Sequence, residues 1–124
     1  MARAPVLGVG DLDNPVVVDH LGMVEQLRAV AARGGCVGVI FCPRYVGGEG
    51  IEPVVRHLCH ILDVAGEDTP ALGSDWDGFI IPTRPLADPR GLPLLTDALL
   101  AAGVSERAIG KLLRENVMRV LSEC

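Results

Sequence analysis

A chain of 124 residues with 49% hydrophobic and 22% charged residues has the length for one domain and the composition of a folded rather than a disordered polypeptide. Aromatic residues make up only 3%, so Val, Leu, Ile and Ala must fill the core. A formal net charge of −5, one lysine and scattered arginines form no basic stripe, which excludes a nucleic-acid partner.

No window reaches the ~18 apolar residues of a membrane span, so no transmembrane segment is expected. The first apolar run is short and is broken by Asp11 and Asp13, unlike the long apolar core of a signal peptide. Cys36, Cys42, Cys59 and Cys124 form no CxxC pair and no dense framework. Reduced thiols and a cytoplasmic localisation are the expectation.

In chain order, Pro5-Val6-Leu7-Gly8-Val9 is a short, near-continuous apolar run that predicts a buried strand over 5–9. Leu21, Val24, Leu27, Val30 and Ala31 recur at helical spacing and predict a helix over 20–33, stopped by Gly34-Gly35. Cys36-Val37-Gly38-Val39-Ile40-Phe41 reads as a strand buried on both faces, over 36–41. Ile51, Val54, Val55, Leu58, Ile61, Leu62 and Ala65 mark a helix over 51–65 that ends at Gly66. A weaker strand signal covers 70–74. A Pro-rich connection over 80–93 leads to helices over 92–102 and 105–121, the first ended by Gly103 and the second capped by Ser105. The order β-α-β-α-β-α-α calls for parallel strands with crossover helices in a single domain, 1–124.

In such folds chemistry gathers at the carboxyl ends of the strands. Three loops qualify: Gly10 to Asn14, Cys42 to Tyr45, and Ser74-Asp75-Trp76-Asp77-Gly78. The third is the densest, since an inward carboxylate there can accept a proton or hold a metal-bound water. The same spacing also fits an Asx turn with both Asp residues in solvent. Asp11 and Asp13 form a second acidic pair, and with Asp75 they suggest a hard-cation site; turn residues closing a strand are the plainer reading. Gly8-x-Gly10 lacks the third glycine of a dinucleotide fingerprint. His57 and His60 stand three apart on one helical face without further zinc ligands, and His20 stands alone. No Cys has the partner of a nucleophile.

Taken together, several stretches carry a family resemblance: Gly34 to Phe41, Val55-Arg56-His57-Leu58-Cys59-His60-Ile61, Val64-Ala65-Gly66, and Leu72-Gly73-Ser74-Asp75-Trp76-Asp77-Gly78. The ending adds Leu94 to Leu100, Gly103-Val104-Ser105-Glu106 and Glu115-Asn116-Val117-Met118-Arg119-Val120. In this order they resemble the C-terminal part of the membrane dipeptidase (renal dipeptidase) family, zinc peptidases of the amidohydrolase superfamily, over about Leu27 to Val120.

The resemblance implies an α/β fold: the C-terminal part of a (β/α)₈ TIM-like barrel, whose full length is roughly 250 residues. It implies a dipeptide substrate, two zinc ions as cofactor, and hydrolysis by a hydroxide that bridges them. It makes Asp75 the catalytic carboxylate that handles the proton of the metal-bound water, with Asp77 and Gly78 shaping the loop and Asn116 structural. The family's metal ligands fall before residue 1 or, for one His, near Gly10 or Asp11, so no metal ligand is assigned in this chain. The family's substrate-binding Arg has no counterpart either; the region around His20 occupies its place, and the substrate-binding residues stay unknown. A half-barrel exposes strand edges, which a homodimer or the missing barrel half would cover. The competing reading is a non-catalytic α/β module that self-associates or binds a partner through those edges.

Overall fold

The computed structural model describes residues 6–8 and 20–123, with side chains from 24 to 123. The outer residues of the strand expected over 5–9 lie outside the described residues, as do Asp11, Asp13 and the side chain of His20.

Three strands, β1 (Val6–Gly8), β2 (Cys36–Ile40) and β3 (Pro70–Ser74), form one sheet in the order β1-β2-β3. Both pairings are parallel, with Val6 opposite Cys36 and Val37 opposite Pro70. Helix α1 (His20–Ala32) connects β1 to β2, and α3 (Glu52–Ala65) carries the chain to β3. A parallel sheet needs its faces covered, and every residue of β2 is buried. Val37, Val39 and Phe41 alternate onto one face and join Leu58 and Ile61 of α3 in the main core. Leu95 and Leu99 of α4 (Leu92–Ala101) complete that layer. Cys36 belongs to a second cluster with Ala71 and Val120.

The helix ends follow from local chemistry. Gly66 closes α3 with a left-handed φ of 87°, its N–H donating to the Leu62 carbonyl. Ser105 caps α5 (Glu106–Gly110), accepting from the Ala108 N–H at 3.1 Å.

Two regions differ from the periodicity reading. The segment after β2 is not loop throughout but includes a one-turn helix, α2 (Pro43–Val46), which starts on a proline and buries Val46. The last helix is interrupted by a π turn at Lys111–Glu115 before α6 (Asn116–Ser122). A turn closed by i→i+5 bonds is wider, so residues four apart stack more directly above one another. That keeps Leu112, Asn116 and Val120 on one buried face. Within the Pro-rich connection, 3₁₀ turns at Arg84–Leu86 and Pro89–Gly91 sink Leu86 into the core.

Asn116 and Arg119 hold the amino ends of β2 and β3 together. Asn116 Nδ2 donates to the carbonyls of Glu67 and Pro70, both at 2.8 Å. Arg119 Nη2 donates to the carbonyls of Gly34 at 2.9 Å and Asp68 at 3.0 Å. Lys111 Nζ lies 2.8 Å from Asp68 Oδ1, and its hydrogen bond holds the Asp68 carboxyl below the ordinary carboxylate range. This end of the sheet is a brace, built from the Asn-x-x-Arg segment of the closing helix.

Candidate active site

The carboxyl end of β3 is built differently. Val39 pairs with Leu72 and Ile40 with Ser74, so Gly73 is the extra residue of a β-bulge. Space is tight there: a Cβ on Gly73 would sit 3.1 Å from the Val39 backbone, and one on Gly38 would sit 3.0 Å from the Gly73 Cα. Immediately after the bulge, the Asp75 N–H donates to the Gly73 carbonyl at 2.5 Å, an i→i+2 contact that turns the chain sharply at Ser74. Bulge and turn together end the strand and send Asp75 off the sheet axis.

Four non-glycine residues in this segment adopt left-handed φ: Ser74 at 49°, Asp75 at 65°, Asp77 at 65° and Phe79 at 62°. Aspartate tolerates that region better than most residues, and a phenylalanine there is strained. Strain of this kind persists only where the surroundings over-determine it. Here Phe41 at the end of β2 anchors both flanks: its N–H donates to the Ser74 carbonyl at 3.2 Å, and its carbonyl accepts the Thr83 N–H at 2.8 Å. Within the turn, the Gly78 N–H donates to the Asp75 carbonyl at 3.1 Å. The Trp76 indole N–H donates to the Leu86 carbonyl at 2.8 Å, and its ring meets Phe41 edge-on at 5.6 Å and 70°.

The Asp75 carboxylate folds over Gly78. A methyl group on Gly78 would land on Asp75 Oδ1 and stand 2.7 Å from its Cγ. Gly78 therefore serves by its missing side chain, leaving room for the carboxylate. A surface hollow of about 420 Å³ opens beside the turn, with Trp76, Gly78, Phe79 and Pro89 among its walls. Asp77, by contrast, is exposed.

The other residues singled out in the sequence do not converge on this turn. His57 is buried on α3, with Nε2 donating to the Val46 carbonyl at 3.1 Å, and His60 is half-buried. Burial pushes the thiols of Cys36 and Cys59 up, with Asp63 adding to the effect at Cys59, so both are neutral packing groups rather than nucleophiles. Among the described residues no three His, Cys, Asp or Glu side chains group closely enough to hold a metal ion. The described donor set does not fit a metal cage. No helix among the described residues is long and apolar enough to cross a membrane.

Thr83 carries a role that periodicity did not signal. It is fully buried, its Oγ1 accepts the Gly50 N–H at 2.6 Å and donates to Glu49 Oε2 at 3.3 Å, and so it ties the loop after β3 to the loop after α2. A threonine between prolines in an irregular connection has no local pattern that marks it.

A parallel α/β unit with polar residues at the carboxyl end of its last strand has the layout of α/β enzymes, whose sites lie at that end of the sheet. The family model described as membrane dipeptidase (peptidase family M19) matches residues 18–124. The chain belongs to that family. A Klebsiella pneumoniae protein encoded in the pqqA 5′ region is 39% identical over 104 residues, covering 78% of this chain and 38% of the relative. Dipeptidase verJ of Clonostachys rogersoniana is 33% identical over 99 residues, covering 78% of this chain and 26% of the relative.

Among solved structures, a metallopeptidase from Rhodobacter sphaeroides, crystallised with a phosphinate mimic of the dipeptide L-Ala-D-Ala, superposes with a TM-score of 0.71 at 36% identity. The metallopeptidase dipeptidase AC superposes with a TM-score of 0.74 at 37% identity. Each of these matches covers 81% of this chain and 30% of the solved one. An amidohydrolase from Pseudomonas aeruginosa shares the fold, with a TM-score of 0.69 over 95% of this chain and 43% of its own. The chain thus spans less than half the length of each of these relatives.

Proposed function

We propose that this chain is the C-terminal barrel portion of a metal-dependent dipeptidase and that Asp75 is its proton-handling carboxylate. The observation that carries the reading is the Asp75 carboxylate itself, set at the carboxyl end of β3 and packed over Gly78 within the family-matching segment. In hydrolysis of a dipeptide, such a carboxylate accepts a proton from the attacking water and returns it to the departing amine. The C–N bond breaks, the water oxygen joins the carbonyl carbon, and the proton balance closes on Asp75. The zinc ions that the resemblance implies find no ligand set among the described residues. Their ligands would come from the remainder of the barrel.

The test is hydrolysis of L-Ala-D-Ala, a dipeptide mimicked in the Rhodobacter relative, with added Zn²⁺. Wild type and Asp75→Asn are compared with this segment in the complete barrel that supplies the metal ligands. A fall of at least ~100-fold in the variant supports the assignment, in line with the usual contribution of a general acid–base group. Equal, measurable rates exclude Asp75. Absence of hydrolysis by the complete wild-type barrel rejects the dipeptidase reading.

A second reading, a self-associating module, draws on the sheet order, which leaves β3 at an edge among the described residues. Light scattering on the eluted chain separates the two: a tight dimer favours self-association, and a monomer removes it.

A further inference from the structure

The turn that carries Asp75 holds four left-handed non-glycine residues, and isolated strain of that size relaxes unless something outside the turn opposes it. Among the described residues, its backbone is anchored from outside the turn at the flanks, through Phe41 to Ser74 and to Thr83. Between those anchors, one side chain of the 74–82 segment holds a hydrogen bond among the described residues, and it is Trp76. Its acceptor, the Leu86 carbonyl, belongs to a residue with no exposed surface, so the bond ties the turn to the core. Its ring edge meets Phe41, the same residue that anchors both flanks. Trp76 lies in the chain between Asp75 and Gly78, so its anchor holds the backbone that joins the carboxylate to the glycine it covers.

We propose that Trp76 is a positioning residue: its indole, bonded to the Leu86 carbonyl and set against Phe41, holds the Asp75 carboxylate over Gly78. The proposal rests on the reading of Asp75 as the proton-handling group, and its test does not depend on turnover. Nothing in the role requires the indole to touch substrate. It acts through the conformation of its neighbour.

Trp76→Phe keeps a ring against Phe41 and removes the N–H. The measurement is residue-resolved amide hydrogen exchange by NMR, comparing Gly78, whose N–H bonds to the Asp75 carbonyl, with Val37, whose N–H bonds to the Thr69 carbonyl at 2.7 Å inside the sheet. Loss of one net hydrogen bond should speed exchange at Gly78 by about fivefold to tenfold while Val37 changes less than about twofold. The side-chain carboxyl ¹³C resonance of Asp75 should move as well. Ile109→Val, a core substitution remote from the turn in the chain, serves as the stability control and should leave that resonance in place.

Equal acceleration at Gly78 and Val37, or none at Gly78, overturns the proposal. Should Trp76→Phe not fold, the wild type alone decides: the indole N–H and the Gly78 amide should open with the same free energy across a urea series. Unequal openings then overturn it. Hydrolysis assays on Asp75→Asn are read separately, so an inert Asp75 and an idle Trp76 give different results.

Discussion

Replacing Asn116 by alanine tests whether the closing helix is braced by its side chain or merely by apolar packing. The residue is 1% exposed, and its amide donates to two backbone carbonyls, those of Glu67 and Pro70, each at 2.8 Å. The Pro70 bond is buried, so that carbonyl would lose its partner without gaining water, at about 1–3 kcal/mol. The Glu67 bond is only partly buried, and water can replace it at a net loss of about 0.5–1 kcal/mol. The sum is about 1.5–4 kcal/mol, read from urea melts followed by circular dichroism under two-state conditions. At roughly 3–5 °C per kcal/mol for a domain of this size, the melting temperature should fall by roughly 5–20 °C. Asn116→Asp should cost more, because it places a carboxylate against two carbonyl oxygens while leaving the volume unchanged. A loss below about 1 kcal/mol for the alanine variant would refute the brace, since a single net hydrogen bond already accounts for that much.

Gly91→Ala should destabilise the chain by about 3 kcal/mol or more, the upper range for overpacking. Its methyl group would collide with the Pro85 carbonyl and stand 3.2 Å from the Leu86 Cα, and backbone at the edge of the core cannot step aside. A urea midpoint within error of the wild type would contradict that geometry. Asp88 predicts a pH dependence. The Arg90 guanidinium, aided by the Arg90 backbone N–H, lowers the Asp88 carboxyl to about 2. Because the folded value lies below the unfolded one of about 3.9, the stabilisation is present above pH 4 and is lost as pH falls toward 2. Asp88→Asn should therefore trail the wild type at pH 5 and converge with it near pH 2. A gap in urea midpoint that stays constant over that range would show that the pair contributes nothing.

Much of the architecture was legible because it depends on short-range periodicity. The 3, 4, 7 spacing from Val54 to Ala65 marks α3, and Gly66 marks its end, because a left-handed residue without a Cβ is the cheapest way to stop a helix. The apolar run from Cys36 to Ile40 marks a strand covered on both faces. The ordered motifs, from the glycines before β2 to the Asn-x-x-Arg of the last helix, were enough to point to the family whose model matches residues 18–124.

The turn at Asp75 was legible only as a cluster of residue types. Two aspartates one residue apart with a glycine after them fit an Asx turn and a catalytic loop equally well, since spacing carries no information about which carboxylate is held. The difference lies in contacts that are distant along the chain. The Leu86 carbonyl receives the Trp76 indole, Phe41 anchors Ser74 and Thr83, and the bulge at Gly73 depends on its register with β2. The π turn at Lys111–Glu115 belongs with these, because its width places Asn116 against two carbonyls of the segment leading into β3. Composition and periodicity specify where a chain is helical or extended, as those preferences arise between near neighbours. The aim of a carboxylate and the burial of Thr83 arise from parts of the chain that meet only after the sheet has closed.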